Sequence, residues 1–301
     1  MKNLLSKCLS IFIASAIFLS ATVSLLLAPI HLNGPAIDIP AGDLDNPSTD
    51  LDSDFSDSET EPPQDNTQDD ANQDSSTDSS EGSEPEHTPV ANYARSKVNG
   101  LNLRSGPGTK YSSVGYLDAG DMVVLLGKNG DWYLTVYKNK TAYISASELF
   151  VEAYSLPASG KSLVEDVIKH GLQLLGFPYV YGAIRFHDGN GKKLNNFDPT
   201  KYDCSSLMQY IFYHGANIHL NMTTRTQVTQ GVHVPKNNLQ RGDLIFFTNS
   251  SRYYKTGIER IGHVALYLGG NYILHTASDF AVIEEISTQR WKYYIEARRF
   301  I

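Results

Sequence analysis

Cysteine is nearly absent from this chain, with only Cys8 and Cys204 among 301 residues. Cys8 lies next to an apolar N-terminal run, so Cys204 has no partner and a disulfide framework is excluded. Neither paired-cysteine spacing nor an HExxH pattern occurs, so nothing supports a metal site. The turn Asp188–Lys192 resembles a calcium loop only superficially, because Lys192 stands where a ligand oxygen is needed. Lys and Arg are missing altogether from residues 31–94, which hold 17 of the 33 acidic residues. Residues 95–301 hold 23 basic and 16 acidic residues, a difference of +7. An acidic arm is thus joined to a basic body suited to an anionic polymer. That polymer is not a nucleic acid, for the chain has no nucleic-acid motif and no basic–aromatic stripe. Large apolar residues are scarce from 41 to 90, so this stretch cannot form a core. Residues 31–92 are expected to be a disordered acidic linker acting as a tether.

The one long apolar run, Leu9 to Ile30, is interrupted by little but Ser and Thr and follows Lys2 and Lys7. Residues 1–30 therefore read as an export signal, and at this length equally as a retained membrane anchor. In either case the rest of the chain is expected outside the cytoplasm, secreted or tethered to the membrane by this segment alone. An unpaired cysteine in an exported protein points to a reactive thiol.

From Tyr93 the sequence changes to short strands at 8–12-residue spacing with turn signals between them, the pattern of a small β-barrel. Leu101–Gly108, Ala119–Asp121, Asp131–Tyr133 and Tyr143–Ile144 resemble the bacterial SH3-like domain, with Ala142 where Gly is usual. The resemblance assigns 93–153 to such a domain, which in wall-active enzymes binds peptidoglycan or shapes the catalytic cleft.

A second unit, 162–301, begins with a capping-box pattern, Ser162–Glu165, and an apolar helical face ending before Gly176 and Pro178. Strands follow at Leu244–Phe247, His263–Leu268, Tyr272–His275 and Tyr294–Arg298. Helices first and strands after them predict an α+β fold with an antiparallel sheet. Between them, Leu207, Met208, Ile211 and Phe212 mark one face of a helix starting at Cys204, with Asp203 as N-cap and Gly215 as stop. A thiol in a first helical turn meets unpaired N–H groups and the positive dipole end, so its pKa is expected well below the ~8.5 of a free thiol. A cysteine nucleophile needs a base and a group to orient it. His263 and His275 each stand six residues from Gly269 and project from the same sheet face, possible cross-strand neighbours. His214, His219 and His233 lack that geometry.

With these pieces in place, 162–301 resembles the NlpC/p60 family of cell-wall cysteine peptidases. The matching segments are Pro178–Gly182, Asp203–Ser205, Thr223–Thr224 with Gln227 and Gly231, Gly242–Phe247, Gly262–Gly269 and Leu274–Ala277. The resemblance implies a papain-like fold with Cys204 as nucleophile, His263 as base and His275 as its orienting partner. It further implies that Tyr179 helps form the oxyanion hole, and that Asp203 and Thr224 line the subsite for the free amine end of a stem peptide. The implied reaction is hydrolysis of the γ-D-glutamyl–diamino acid bond of peptidoglycan, with no cofactor. The chain departs from the pattern at Ala183, at Ser206 and in the long polar stretch 184–202 bordering the cleft. A wall-binding scaffold without catalysis and a thiol acyltransferase on the same site are the alternatives.

Overall fold

The computed structural model describes residues 90–301; the expected signal or anchor and nearly all of the acidic linker lie outside these residues. Eight strands open the described chain: β1 (Val90–Ser96), β2 (Leu101–Arg104), β3 (Ser113–Leu117), β4 (Met122–Val124), β5 (Gly127–Asn129), β6 (Trp132–Tyr137), β7 (Lys140–Ser145) and β8 (Val151–Pro157). They form two antiparallel sheets, β4-β1-β8 and β3-β2-β7-β6-β5. Alternation buries one set of side chains, including Tyr93, Leu103, Met122, Ile144 and Leu156, between them. β6 turns into β7 through Lys138 and Asn139, both with positive φ, the backbone of a tight hairpin. The outer strands β1 and β8 were not legible as a pair, because their partners are 55 to 67 residues apart.

The second unit contains α1 (Ser162–Gln173), α2 (Cys204–Ala216), α3 (Thr224–Gln227), β9 (Val232–His233), β10 (Leu244–Phe247), β11 (His263–Gly269), β12 (Tyr272–Ala277), β13 (Phe280–Glu285), α4 (Thr288–Lys292) and β14 (Tyr294–Arg299). Its sheet runs β13-β12-β11-β10-β14-β9, antiparallel throughout, so the fold is α+β. Val167, Ile168, Ile211 and Phe212 from α1 and α2 share one core with Val264, Leu266, Leu274 and Ile283 of the sheet. Ile245, Phe247, Ala265 and Ile273 cover the other face, with Trp291 packed against them.

Two local expectations are corrected. Ser162 does not cap α1: the N-cap is Lys161, without a side-chain bond, and Glu165 reaches past it to the Ser159 N–H and to Arg241. Gly215 does not stop α2, which ends at Asn217 in the left-handed conformation. Gly215 is instead where α1 and α2 touch, since a Cβ there would lie 2.5 Å from the Val167 backbone.

The barrel is packed onto this unit. Arg241 donates to both Glu165 carboxylate oxygens at 2.8 and 2.9 Å, to the Leu268 carbonyl at 2.9 Å and to the Tyr93 hydroxyl at 3.1 Å. Lys138 and Asn139 N–H groups bond the carbonyls of Leu175 and Gln173 at the C-terminal end of α1. The Tyr116 ring meets Phe280 edge-on, bringing the barrel against β13.

Candidate active site

Cys204 is the first residue of α2 because Asp203 caps the helix. Asp203 Oδ1 accepts from the Ser206 N–H at 2.7 Å, and the Asp203 N–H donates to Ser206 Oγ at 2.8 Å, a reciprocal capping box. The approach to the cysteine is fixed by a parallel bridge between Tyr179 and Tyr202, with the Val180 N–H bonded to the Tyr202 carbonyl. Tyr179 is thereby held beside the chain that enters α2, half-buried. The Val264 and Ser205 amides point at the Cys204 sulfur. Since Val264 follows His263, thiol and imidazole belong to the same end of β11. The expected low thiol pKa is reversed in this resting arrangement. Cys204 is 9 % exposed, and burial, with the Asp203 charge adding to it, pushes the thiol up to about 12. The amides and Arg185 oppose this without overcoming it.

The two histidines come together differently from a direct cross-strand pair. Leu266 faces Leu274 and a bulge separates Tyr267 from Gly269, so Ala265 falls opposite His275 and His263 lies diagonal to it. Both still project from one face, and His263 Nε2 is 2.8 Å from His275 Nδ1. Burial, then His275 and Arg290, lower the His263 pKa well below 6.5; burial also lowers that of His275, against the pull of Glu284. Thiol and imidazole both favour their neutral forms at neutral pH.

Behind the pair stands Glu284, which the sequence reading missed. Its Oε1 is 3.0 Å from His275 Nε2, off the line of a hydrogen bond, and 2.8 Å from Arg290 Nη2. Burial works against its charge, but His275 and Arg290 outweigh it and hold the carboxyl down at about 2. Ala281 and Ile283 alternate into the core along β13, and that period-two pattern was the signal for placing Glu284 on the histidine face.

Asp203 and Thr224 lie at the same corner, both buried, at 4 % and 7 % exposure. Thr224 begins α3, and Gln227 at its end donates to the Ser205 carbonyl, tying α3 to the cysteine turn. The Asp203 carboxylate is fully engaged: Oδ1 by the cap and by Ser205 Oγ, Oδ2 by Arg185 Nη2 at 2.9 Å. Arg185 comes from the long polar stretch and also donates to Ser205 Oγ and to the carbonyls of Ala183 and Met222. Nothing in the local sequence marked it. His187 is buried behind this stretch, its N–H bonded to Gln209 Oε1, while His214 and His219 pack into an aromatic cluster around Phe186 and Tyr213. Among the described residues no three His, Cys, Asp or Glu side chains gather as metal ligands.

Comparison with known proteins gives two family matches: the NlpC/P60 family over residues 176–299 and the bacterial SH3 domain over 99–150. The gamma-DL-glutamyl hydrolase of Bacillus subtilis is 29% identical over 178 residues, 59% of this chain and 38% of that protein. The gamma-D-glutamyl-L-lysine dipeptidyl-peptidase of the same species is 31% identical over 158 residues, 50% of this chain and 47% of that protein. This chain thus spans less than half the length of these relatives. A solved NlpC/P60 family protein from Bacillus cereus aligns over 70% of this chain and 63% of its own, at 23% identity and a TM-score of 0.36.

Proposed function

Because the chain belongs to the NlpC/P60 family through residues 176–299, with a bacterial SH3 domain ahead of it, we propose that it is a peptidoglycan hydrolase. It acts as a cysteine endopeptidase on stem peptides, at the bond between the D-Glu γ-carboxyl and the diamino acid. The observation that carries this reading is Cys204 at a helix N-terminus, bonded by the amide of Val264, the residue after His263, whose Nε2 lies 2.8 Å from Nδ1 of His275 on β12.

In the proposed reaction Cys204 Sγ attacks the γ-carbonyl carbon while His263 takes the thiol proton. The carbonyl oxygen becomes an oxyanion, met by the Cys204 N–H and by Tyr179. His263 returns the proton to the leaving amine as the C–N bond breaks, leaving a thioester on Cys204. Water, deprotonated by His263, attacks the thioester and releases the acid and the free thiol. A neutral resting pair suits this order, because charge separates only when substrate is in place. A relative's name supports the bond: one Bacillus subtilis protein is named a gamma-D-glutamyl-L-lysine dipeptidyl-peptidase. The apolar N-terminal segment supports action outside the cytoplasm.

The test is the purified protein on defined muropeptides beside Cys204→Ala, with products read by mass spectrometry. Cleavage between D-Glu and the diamino acid, abolished in the mutant, is the expected result. Intact muropeptides bound equally by both proteins would favour a wall-binding scaffold. A new amide formed with added amine would indicate acyl transfer.

A further inference from the structure

Glu284 places a negative charge directly behind the histidine pair, on the same sheet face as His275 and two residue pairs along the β12–β13 ladder. We propose that Glu284, held by Arg290, is a positioning residue. It fixes the proton on His275 Nε2 and so decides which nitrogen of His263 is free to accept the Cys204 proton. The proposal rests on the reading of Cys204 and His263 as nucleophile and base.

An ionised carboxylate only accepts hydrogen bonds. His275 Nε2 is fully buried, and among the described residues the polar side-chain atom recorded near it is Glu284 Oε1 at 3.0 Å. A buried N–H is tolerable there, whereas a bare lone pair facing a carboxylate is repelled. The His275 proton therefore sits on Nε2, and Nδ1 carries a lone pair. That lone pair lies 2.8 Å from His263 Nε2, which must donate to it. His263 is left with a lone pair on Nδ1, the nitrogen available to a thiol proton. The tautomers thus follow from the hydrogen-bond network, each ring nitrogen being set by the partner of the other. Reversing the first link reverses every later one: with the proton on His275 Nδ1, His263 Nε2 becomes the acceptor and Nδ1 holds the proton, so the base is blocked.

Glu284 also supplies charge. When His263 becomes an imidazolium, its positive charge is shared toward His275 and faces the carboxylate two groups away. Arg290 opposes this positive charge but keeps Glu284 in place, 2.8 Å from it. Asp121 of the barrel lies near enough to Glu284 for the two charges to repel. Burial, with the Glu284 charge adding to it, pushes the Asp121 carboxyl up to about 7, so at neutral pH Asp121 is only partly ionised while Glu284, held down at about 2, is fully so. Glu284 thus remains the principal anion behind the pair.

The experiment uses the full chain, with imidazole nitrogens read by 15N–1H NMR and kinetics measured on muropeptides. In the unaltered protein His275 is expected to carry its proton on Nε2 and His263 on Nε2. Glu284→Leu should mix or invert these tautomers. Glu284→Gln should lower kcat about tenfold, as loss of a partner behind a functional histidine does, with KM unchanged. Removing the carboxylate charge disfavours imidazolium, so the acid limb of the rate profile should move down by roughly one pH unit. A His275 proton on Nδ1 in the unaltered protein would overturn the proposal, even if Glu284→Leu fails to fold. So would a Glu284→Gln variant with unchanged kcat and pH profile. If the unaltered protein cleaves no muropeptide while its tautomers respond to Glu284, the hydrolase reading fails and the positioning role stands.

Discussion

Cys204 is pulled in two directions by its own position. The helix N-terminus and the Val264 amide favour thiolate, while burial and the neighbouring Asp203 carboxylate favour thiol. In the resting protein burial wins, because desolvation acts on the whole charge and the amides offer only partial charges. The sign of the effect can be checked. A thiol pKa raised to about 12 beside a histidine lowered below 6.5 leaves both groups neutral at pH 7. Iodoacetamide alkylation of Cys204 is therefore expected to keep accelerating above pH 9, with no plateau on the acid side. A plateau below pH 7 would show a resting thiolate–imidazolium pair instead. The same residue was legible in the sequence as an unpaired cysteine at a helix start; the sign of its shift was not, because burial is a property of neighbours far along the chain.

The N-terminus of α2 shows how an element sets the geometry of a site. Asp203 is both cap and ion-pair partner, so its two contributions separate on substitution. Asp203→Asn keeps an acceptor for the Ser206 N–H but loses the Arg185 pair, whereas Asp203→Ala loses both. Urea unfolding should find the alanine variant less stable than the asparagine variant by about 1 kcal/mol, the usual contribution of a helix cap. Equal stabilities would mean the capping box contributes nothing here. The cap was readable from four consecutive residues, Asp203–Ser206, because its bonds are local. The histidine register was readable only in part. Spacing about Gly269 placed both rings on one face, but the bulge before Gly269 made them diagonal. Glu284 escaped notice because β13 pairs with β12 across a turn that carries no strong signal.

At the scale of the whole molecule, the barrel and the peptidase-like unit are joined by buried polar contacts. Arg241, 8 % exposed, ties Glu165 of α1, the β11 carbonyl of Leu268 and Tyr93 of the barrel together. Arg241→Met should therefore leave buried acceptors without a donor and cost roughly 2 kcal/mol, given that Glu165 retains some solvent access. Calorimetry is expected to show a lower Tm with the barrel and the second unit less tightly coupled; an unchanged Tm would mean that this contact adds no stability. Because β4 and Tyr116 lie against β13, loosening this junction also bears on the strand that carries Glu284.

The sequence by itself determined what short-range chemistry and period can encode: the charge division, the barrel turns, the helical face behind Cys204, its cap, and two histidines on one sheet face. Tertiary structure alone decided the burial that raises the thiol, the docking of Arg185 on Asp203, the closure of the Arg241 cluster and the approach of Glu284 to His275. Each of these brings together residues distant in sequence, and solvent exclusion and Coulomb interaction depend on distance in space rather than along the chain.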